Sequence, residues 1–312
     1  MLPVVVALAA VFFVVAPLVV AAVSAVRQPT HPGQARAADG QAGQPTESTT
    51  PTGRPTRSPA PADTHPDDPP VPSTYAEVYQ TLESSPLYDQ ALPPTQCSLT
   101  DIDLATASVP AVEEHLNGFV DCLMAVWSGP VADAGFELPR PSVTVYTAAI
   151  TSPCGELDMT NAAYCTADQQ IYYADDLVEI FPSDLWTMRF TTESVLAHEF
   201  GHEIQYRTMI LTSAAVLAAD ASTDDQMDLS RRTEMQADCF AGVFLNSVSG
   251  SVGMTTQERQ RIVTLFTDLG GTTPYEDDHG TGAHRAAWVT KGLASTTPGV
   301  CSTYTAPADS VG

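Results

Sequence analysis

The chain has 312 residues, and 44% of them are hydrophobic, which is enough to bury a core in one large domain or two ordinary ones. Acidic residues outnumber basic residues by 37 to 13, for a formal net charge of −24. Such a surface repels a phosphate backbone, so we expect no nucleic-acid partner. We interpret the excess negative charge as a solvated surface that keeps the protein soluble. The alternative interpretation is an acidic cleft that selects cationic substrates.

Residues 1–27 form an apolar first segment. From Leu2 to Val26 the only polar residue is Ser24, and this run is long enough to span a bilayer as a helix. We predict a single-pass membrane anchor with the rest of the chain outside the cell. A signal peptide removed after Val23-Ser24-Ala25, giving a secreted protein, is the alternative. Against our orientation, Arg27 follows the run and no basic residue precedes it.

Residues 28–72 are predicted to be a disordered linker. They hold eleven of the 25 prolines, no aromatic residue, and Val71 as the only branched aliphatic residue. Such a segment cannot bury enough apolar surface to offset its conformational entropy. The linker would lift a folded domain, residues 73–312, off the membrane, or it would be a passive tail.

Within the folded domain, apolar periodicity and capping residues predict a small sheet followed by a mainly helical region. The predicted elements are a helix over 74–82 capped by Ser73, a helix over 110–127, strands over 142–148 and 170–174, and helices over 192–210, 227–248, 256–268 and 281–293. Strands that precede several helices indicate an α+β domain.

All six cysteines follow the linker, and none lies in a CxxC pair. An even number without zinc-ligand spacing favours disulfides in an oxidising, extracytoplasmic compartment, and six buried thiols are the alternative. The pairs that we predict are Cys97–Cys122, Cys154–Cys165 and Cys239–Cys301.

The chemistry is carried by an HExxH motif at His198, Glu199 and His202. Four residues apart on a helix, two imidazoles lie on one face and can bind one Zn²⁺. Glu199 can then take a proton from the zinc-bound water as that water attacks a carbonyl. Gly201 is unfavourable inside a helix. Its small size would leave room for a neighbouring strand or for the substrate.

A second acidic pair, Glu234 and Asp238, repeats the spacing of four. We expect Glu234 to be the third metal ligand and Asp238 to accept the ring N–H of one histidine. An exposed acidic helix face is the alternative. Apolar neighbours such as Met235 and Phe240 favour burial of the pair.

Four ordered blocks resemble the putative neutral zinc metallopeptidases. The blocks are CGELDMTNAAYCTADQQIYY (154–173), AHEFGHEIQ (197–205), RRTEMQADCFAGVF (231–244) and HGTGAHRAAWVTKG (279–292). The resemblance implies gluzincin-like chemistry, with His198, His202 and Glu234 on zinc, Glu199 as the base and Asp238 behind a ligand histidine. Glu203 and the Ala283-His284 pair depart from the usual pattern of the family, which bears on substrate preference.

His279 lies in a polar loop before a predicted helix. Oriented by an acid, it could donate to the oxyanion of a tetrahedral intermediate, and a structural or capping histidine is the alternative. We expect the substrate cleft between the zinc helix and the strand over 170–174, with His279 on its rim. Tyr172, Tyr173 and Tyr275 are the other candidate donors, and Tyr172 and Tyr173 should point to opposite faces of the sheet.

The sequence thus predicts a zinc-dependent endopeptidase that acts on peptides or proteins outside the cell. A zinc amidase acting on cell-wall peptides and an inactive zinc-binding domain of the envelope are the alternatives. An inactive domain would not need Glu199.

Overall fold

A computed structural model describes residues 66–271 and 278–312. The predicted anchor over 1–27 and the linker up to residue 65 lie outside this part of the chain. Across the described residues, none of the helices combines the length and apolar character needed to cross a membrane.

The described residues form an α+β fold, as predicted. The helices are α1 (Tyr75–Ser84), α2 (Val109–Asp133), α3 (Thr191–Arg207), α4 (Ile210–Ala218), α5 (Thr223–Val248), α6 (Thr256–Asp268) and α7 (Gly282–Leu293). The strands are β1 (Val143–Tyr146), β2 (Ile150–Ser152), β3 (Gly155–Leu157), β4 (Ala162–Cys165) and β5 (Gln170–Ala174).

The main sheet has the strand order β1-β5-β4, with β1 and β5 parallel and β5 and β4 antiparallel. Strand β5 is therefore paired on both sides, and β4 is the edge strand nearest to α3. Tyr173 belongs to the main core, whereas Tyr172 packs on the opposite face of the sheet. The prediction that these two tyrosines face apart is confirmed. The sequence did not predict β4 or the β2–β3 hairpin.

Several helix bounds differ from the prediction: α2 continues to Asp133 rather than ending at residue 127, α5 begins at Thr223 rather than at residue 227, and α4 was not predicted. Helix α3 ends at Arg207 rather than at residue 210, since Met209 adopts a left-handed conformation with φ 65°. Such residues commonly end helices, but the usual glycine signal is missing here. Helix α1 is capped by Thr74, which accepts the Glu77 N–H, whereas Ser73 donates to the Glu77 carboxylate.

The core is organised around α5, whose residues from Ser230 to Leu245 are all buried. A helix that is buried on all sides must pack against several partners. Helix α5 contacts α3 on one side and α7 on another. The packing with α7 is close, because a Cβ atom on Gly242 would lie 2.5 Å from the Val289 carbonyl oxygen.

Three disulfides crosslink the described residues, with the predicted pairing. They are Cys97–Cys122, Cys154–Cys165 and Cys239–Cys301. The last one joins α5 to the C-terminal segment, which otherwise consists of single 3₁₀ turns. The covalent link therefore fixes a segment that has little regular structure of its own.

We expect the double substitution of Cys239 and Cys301 by serine to lower the free energy of unfolding by about 4 kcal/mol, because the bond joins residues 62 apart. The same change at Cys154 and Cys165, which are 11 apart, should lower it by about 3 kcal/mol. Urea unfolding without reductant measures both values. A larger loss at the shorter loop would show that loop closure is not the main contribution.

Candidate metal centre and cleft

The HExxH motif lies in α3, and every residue of this helix is buried. Helix α5 crosses it at Gly201, where a Cβ atom would lie 3.1 Å from Ala237 Cα and 3.2 Å from its carbonyl oxygen. Gly201 therefore makes room for a helix, not for a strand or a substrate as expected from the sequence. The absent side chain lets the two helices approach closely enough for their polar residues to meet.

His198, His202 and Glu234 converge between these helices. The Nε2 atoms of the two histidines are 3.1 Å apart. The Glu234 carboxylate lies 3.2 Å from His198 Nε2 and 3.6 Å from His202 Nε2. One ligand atom from each of the three residues lies within 4.8 Å of the other two. Among the residues that the structure describes, these three side chains could therefore hold a metal ion together.

The donor set fits zinc. Both oxygens of Glu234 are buried without a hydrogen-bond partner, although a buried carboxylate is costly unless it is paired. Two imidazoles and a carboxylate are ligands that Zn²⁺ prefers. Burial raises the pKa of Glu234, but the neighbouring histidines outweigh it and hold this pKa well below its ordinary value. Glu234 is therefore an anionic ligand at neutral pH.

Each ligand histidine is oriented through its Nδ1 atom. His198 Nδ1 lies 2.8 Å from the Asp238 carboxylate. His202 Nδ1 lies 2.9 Å from the Gln205 side-chain oxygen, and the Gln205 amide in turn donates to the Thr233 carbonyl. With Asp238 and Gln205 beside the two Nδ1 atoms, each Nε2 is the ring nitrogen that faces the other ligands, so Nε2 would be the atom that binds the metal.

Arg285 completes this arrangement and was not among the site residues predicted from the sequence. Its guanidinium donates to both oxygens of Asp238 at 2.8 and 2.7 Å. Burial raises the pKa of Asp238, but Arg285 and His198 lower it more, so the carboxylate stays charged. Arg285 could have been found from the sequence in one way. A buried Asp238 needs a cationic partner, and Arg285 is the arginine in the block over 279–292.

Glu199 lies in the same cleft, and its carboxylate accepts the Tyr164 backbone N–H at 2.9 Å. Tyr164 belongs to β4, so the strand beside the zinc helix is β4. The predicted position of the cleft at residues 170–174 is wrong, because β5 is enclosed between β1 and β4 and has no free edge.

The cleft is lined by polar residues that include Asn161, His198, Glu199, His279 and Arg285. His279 Nδ1 lies 2.6 Å from the Asp278 carboxylate, and its Nε2 is 3.8 Å from Glu234. Burial lowers the pKa of His279, but Glu234 and Asp278 raise it above its ordinary value. His279 is thus on the cleft and oriented by an acid, as expected.

The other histidines of the domain have structural surroundings. His284 lies 3.0 Å from Thr281, whose side chain caps α7, and His115 forms a buried pair with Glu193 at 2.8 Å. Tyr275, one of the alternative donors, lies outside the described residues. Tyr173 is buried in the core and Tyr172 contacts Asp168, so neither lines the cleft.

The profile of the Putative neutral zinc metallopeptidase family matches residues 93–304, about two thirds of the chain. The chain belongs to this family. The YpfJ protein of Escherichia coli is 26% identical over 219 residues, covering 64% of this chain and 75% of YpfJ. Rv2575 of Mycobacterium tuberculosis and Mb2605 of Mycobacterium bovis are each 28% identical over 218 residues, covering 61% of this chain and 72% of the relative. The three relatives carry the description "uncharacterized". No solved structure matches the chain.

We expect Glu234→Ala to reduce the zinc content at neutral pH, because it removes the anionic member of the donor set. Glu203→Ala is the matched control: this glutamate is also fully buried, on α3, and burial raises its pKa well above the ordinary value. The measurement is the molar ratio of zinc to protein after dialysis. One tightly held zinc in Glu234→Ala would mean that another residue completes the site.

Proposed function

We propose that this metallopeptidase-family chain is a zinc-dependent endopeptidase that hydrolyses peptide bonds outside the cell. The observation that carries the proposal is that His198, His202 and Glu234 converge as one possible metal-binding group, while His198 and Glu199 line the same cleft. Zinc binding alone would need only the first three residues. Hydrolysis needs a base in addition to the metal ligands, and the Glu199 carboxylate beside them can serve as that base.

His198, His202 and Glu234 would hold the metal. Bound zinc acts as a Lewis acid that acidifies water and polarises the scissile carbonyl. Glu199 would accept a proton from the attacking water and deliver it to the leaving amine. The hydrogen bond from the Tyr164 N–H fixes the Glu199 carboxylate toward the cleft, so the base is positioned before substrate arrives.

His279 would stabilise the negative charge that develops on the carbonyl oxygen. Asp278 holds Nδ1, which leaves Nε2 on the side of Glu234 and the cleft. The Asp278 and Glu234 carboxylates favour the protonated ring, in which Nε2 is a donor. A donor fixed at the point where charge grows lowers the barrier of acyl transfer.

An extended substrate would pair with the free edge of β4. The Tyr164 N–H points away from β5 toward Glu199, so this edge faces the base. Unpaired backbone groups on an edge strand are suitable partners for an extended peptide. An endopeptidase needs such pairing because it cannot use the chain ends of the substrate for recognition.

The extracytoplasmic location is supported by the three disulfides, since such bonds persist mainly in oxidising compartments. The apolar run from Leu2 to Val26 would anchor the chain in the membrane, and the predicted linker over 28–72 would separate the anchor from the peptidase domain. Release after a signal cleavage is the alternative.

We expect Glu199→Gln to abolish hydrolysis of an internally quenched peptide with both ends blocked, while the zinc content stays that of the wild type. The change keeps the shape of the side chain but removes the proton acceptor. Glu203→Gln, a buried glutamate on the same helix, is the control and should stay active. Full activity of Glu199→Gln at normal zinc content would contradict the mechanism.

We expect His279→Ala to lower kcat by about 100- to 1000-fold, the usual effect of losing one oxyanion donor. The zinc content should not change, because His279 is not among the three ligands. His284→Ala, on the nearby helix α7, serves as the matched control. A loss of less than about threefold in His279→Ala would make His279 a structural residue.

A further inference from the structure

The last residues of the predicted linker, 66–72, lie against the peptidase domain. They form no helix or strand, and they precede residues 93–304, the stretch that the family profile matches. Four of the seven are prolines, whose fixed φ angles reduce the conformational entropy that is lost when the segment is held in one place. We call residues 66–68, which make the polar contacts, the strap.

Two backbone carbonyls of the strap accept hydrogen bonds from buried side chains. The Pro66 carbonyl accepts from the Gln169 amide at 2.8 Å, and the Asp67 carbonyl accepts from the Arg207 guanidinium at 2.7 Å. Gln169 lies in the turn between β4 and β5, and Arg207 is the last residue of α3. A buried donor that loses its acceptor is costly, so the strap stabilises the place where the turn meets the helix end.

The third acceptor of the strap is the Asp68 carboxylate, which accepts from the Tyr206 hydroxyl at 2.8 Å. Tyr206 lies in the last turn of α3, and its ring is part of the main hydrophobic core. The neighbouring Asp67 differs, because its contact with the described part of the domain is made by its carbonyl and not by its side chain. The two exposed aspartates therefore have different roles, although they carry the same charge.

Tyr206 connects the strap to the proposed base through Tyr164. It follows Glu199 by seven residues, which places both on one side of α3, two turns apart. The centroids of the Tyr206 and Tyr164 rings are 6.3 Å apart, and the ring planes are inclined by 52°. The backbone N–H of Tyr164 is the group that donates to the Glu199 carboxylate. A shift of Tyr206 would therefore act on the residue that holds the base.

The strap is not the only support of Tyr164. Strand β4 is also held by its pairing with β5 and by the Cys154–Cys165 disulfide. Loss of the strap should therefore displace Tyr164 slightly and not release it. The expected consequence is a partial loss of turnover, with the metal ligands unaffected.

We propose that the strap positions the base: it fastens the end of α3 to the β4–β5 turn and, through Tyr206 and Tyr164, keeps the Glu199 carboxylate in place. Cleavage of the linker before residue 66 would then release a fully active domain, whereas cleavage between residues 68 and 73 would release one with a lower kcat. The positioning of Glu199 rests on the peptidase function proposed above, and the attachment of the strap does not.

A double-mutant cycle on the full chain tests the attachment without using activity. Asp68→Ala and Tyr206→Phe each remove one partner of the hydrogen bond, and each should lower the urea midpoint of unfolding by about 0.3 M. The double variant should unfold at the same midpoint as the single variants, because the bond can be lost only once. Asp67→Ala is the matched control: it removes the same charge but keeps the carbonyl, so its midpoint should equal that of the wild type.

Kinetics of the zinc-loaded full chain test the positioning. On the blocked, quenched peptide, Asp68→Ala and Tyr206→Phe should each lower kcat at least about threefold with KM and zinc content unchanged, because a slightly displaced base loses part of its effect. Asp67→Ala should keep the wild-type kcat. The conservative variant Asp68→Asn should restore most of the kcat, since its amide oxygen can still accept from the Tyr206 hydroxyl. A purely structural role would leave kcat the same in all four variants at a temperature where each is folded.

The two measurements separate the possible failures. A wild-type midpoint in Asp68→Ala, or additive losses in the double variant, would overturn the strap. Coupled midpoints with an unchanged kcat would overturn the positioning of Glu199 and leave the peptidase function standing. If the wild type cleaves no peptide, the peptidase function and the positioning both fail, and coupled midpoints would still establish that the strap is attached.

Discussion

The contact between Gly201 and Ala237 sets the distance between α3 and α5, and the metal centre depends on that distance. Any side chain larger than a hydrogen at residue 201 would meet the α5 backbone within about 3 Å. Moving the helices apart would carry Glu234 away from His198 and His202, because the ligands come from both helices. A glycine that is unfavourable for helix formation by about 1 kcal/mol is thus favoured at residue 201 by the close packing of the two helices.

Close helix packing also creates an electrostatic problem, since it removes two carboxylates, two imidazoles and a guanidinium from water. Each buried charge is costly unless a partner offsets it. Arg285 neutralises Asp238, Asp238 orients His198, and the oxygens of Glu234 are left without a hydrogen-bond donor. A divalent cation would satisfy these oxygens. The arrangement is therefore organised in advance for a positive ion at one point, and zinc would stabilise the fold by binding there.

Local patterns in the sequence predicted the helices that carry this site, and they missed the parts that depend on tertiary contacts. The spacing of His198 and His202, and of Glu234 and Asp238, follows from helical geometry, so the sequence was enough. Strand β4 (AAYC) contains none of the β-branched residues that marked the two predicted strands, so the free edge was assigned to β5, the predicted strand that precedes α3. Arg285 lies 47 positions from Asp238 and carries no local signal of the pairing.

Two of the disulfides contain a cysteine that directly follows a residue of the site in the sequence. Cys165 follows Tyr164, whose N–H holds Glu199, and Cys239 follows Asp238, which orients His198. The first bond closes the end of the edge strand, and the second ties α5 to the C-terminal segment. Because a base or a ligand displaced by about 1 Å loses much of its effect, oxidation of these cysteines bears on the geometry of the cleft as well as on stability. These bonds therefore also hold the chain next to Tyr164 and Asp238, the residues that contact Glu199 and His198.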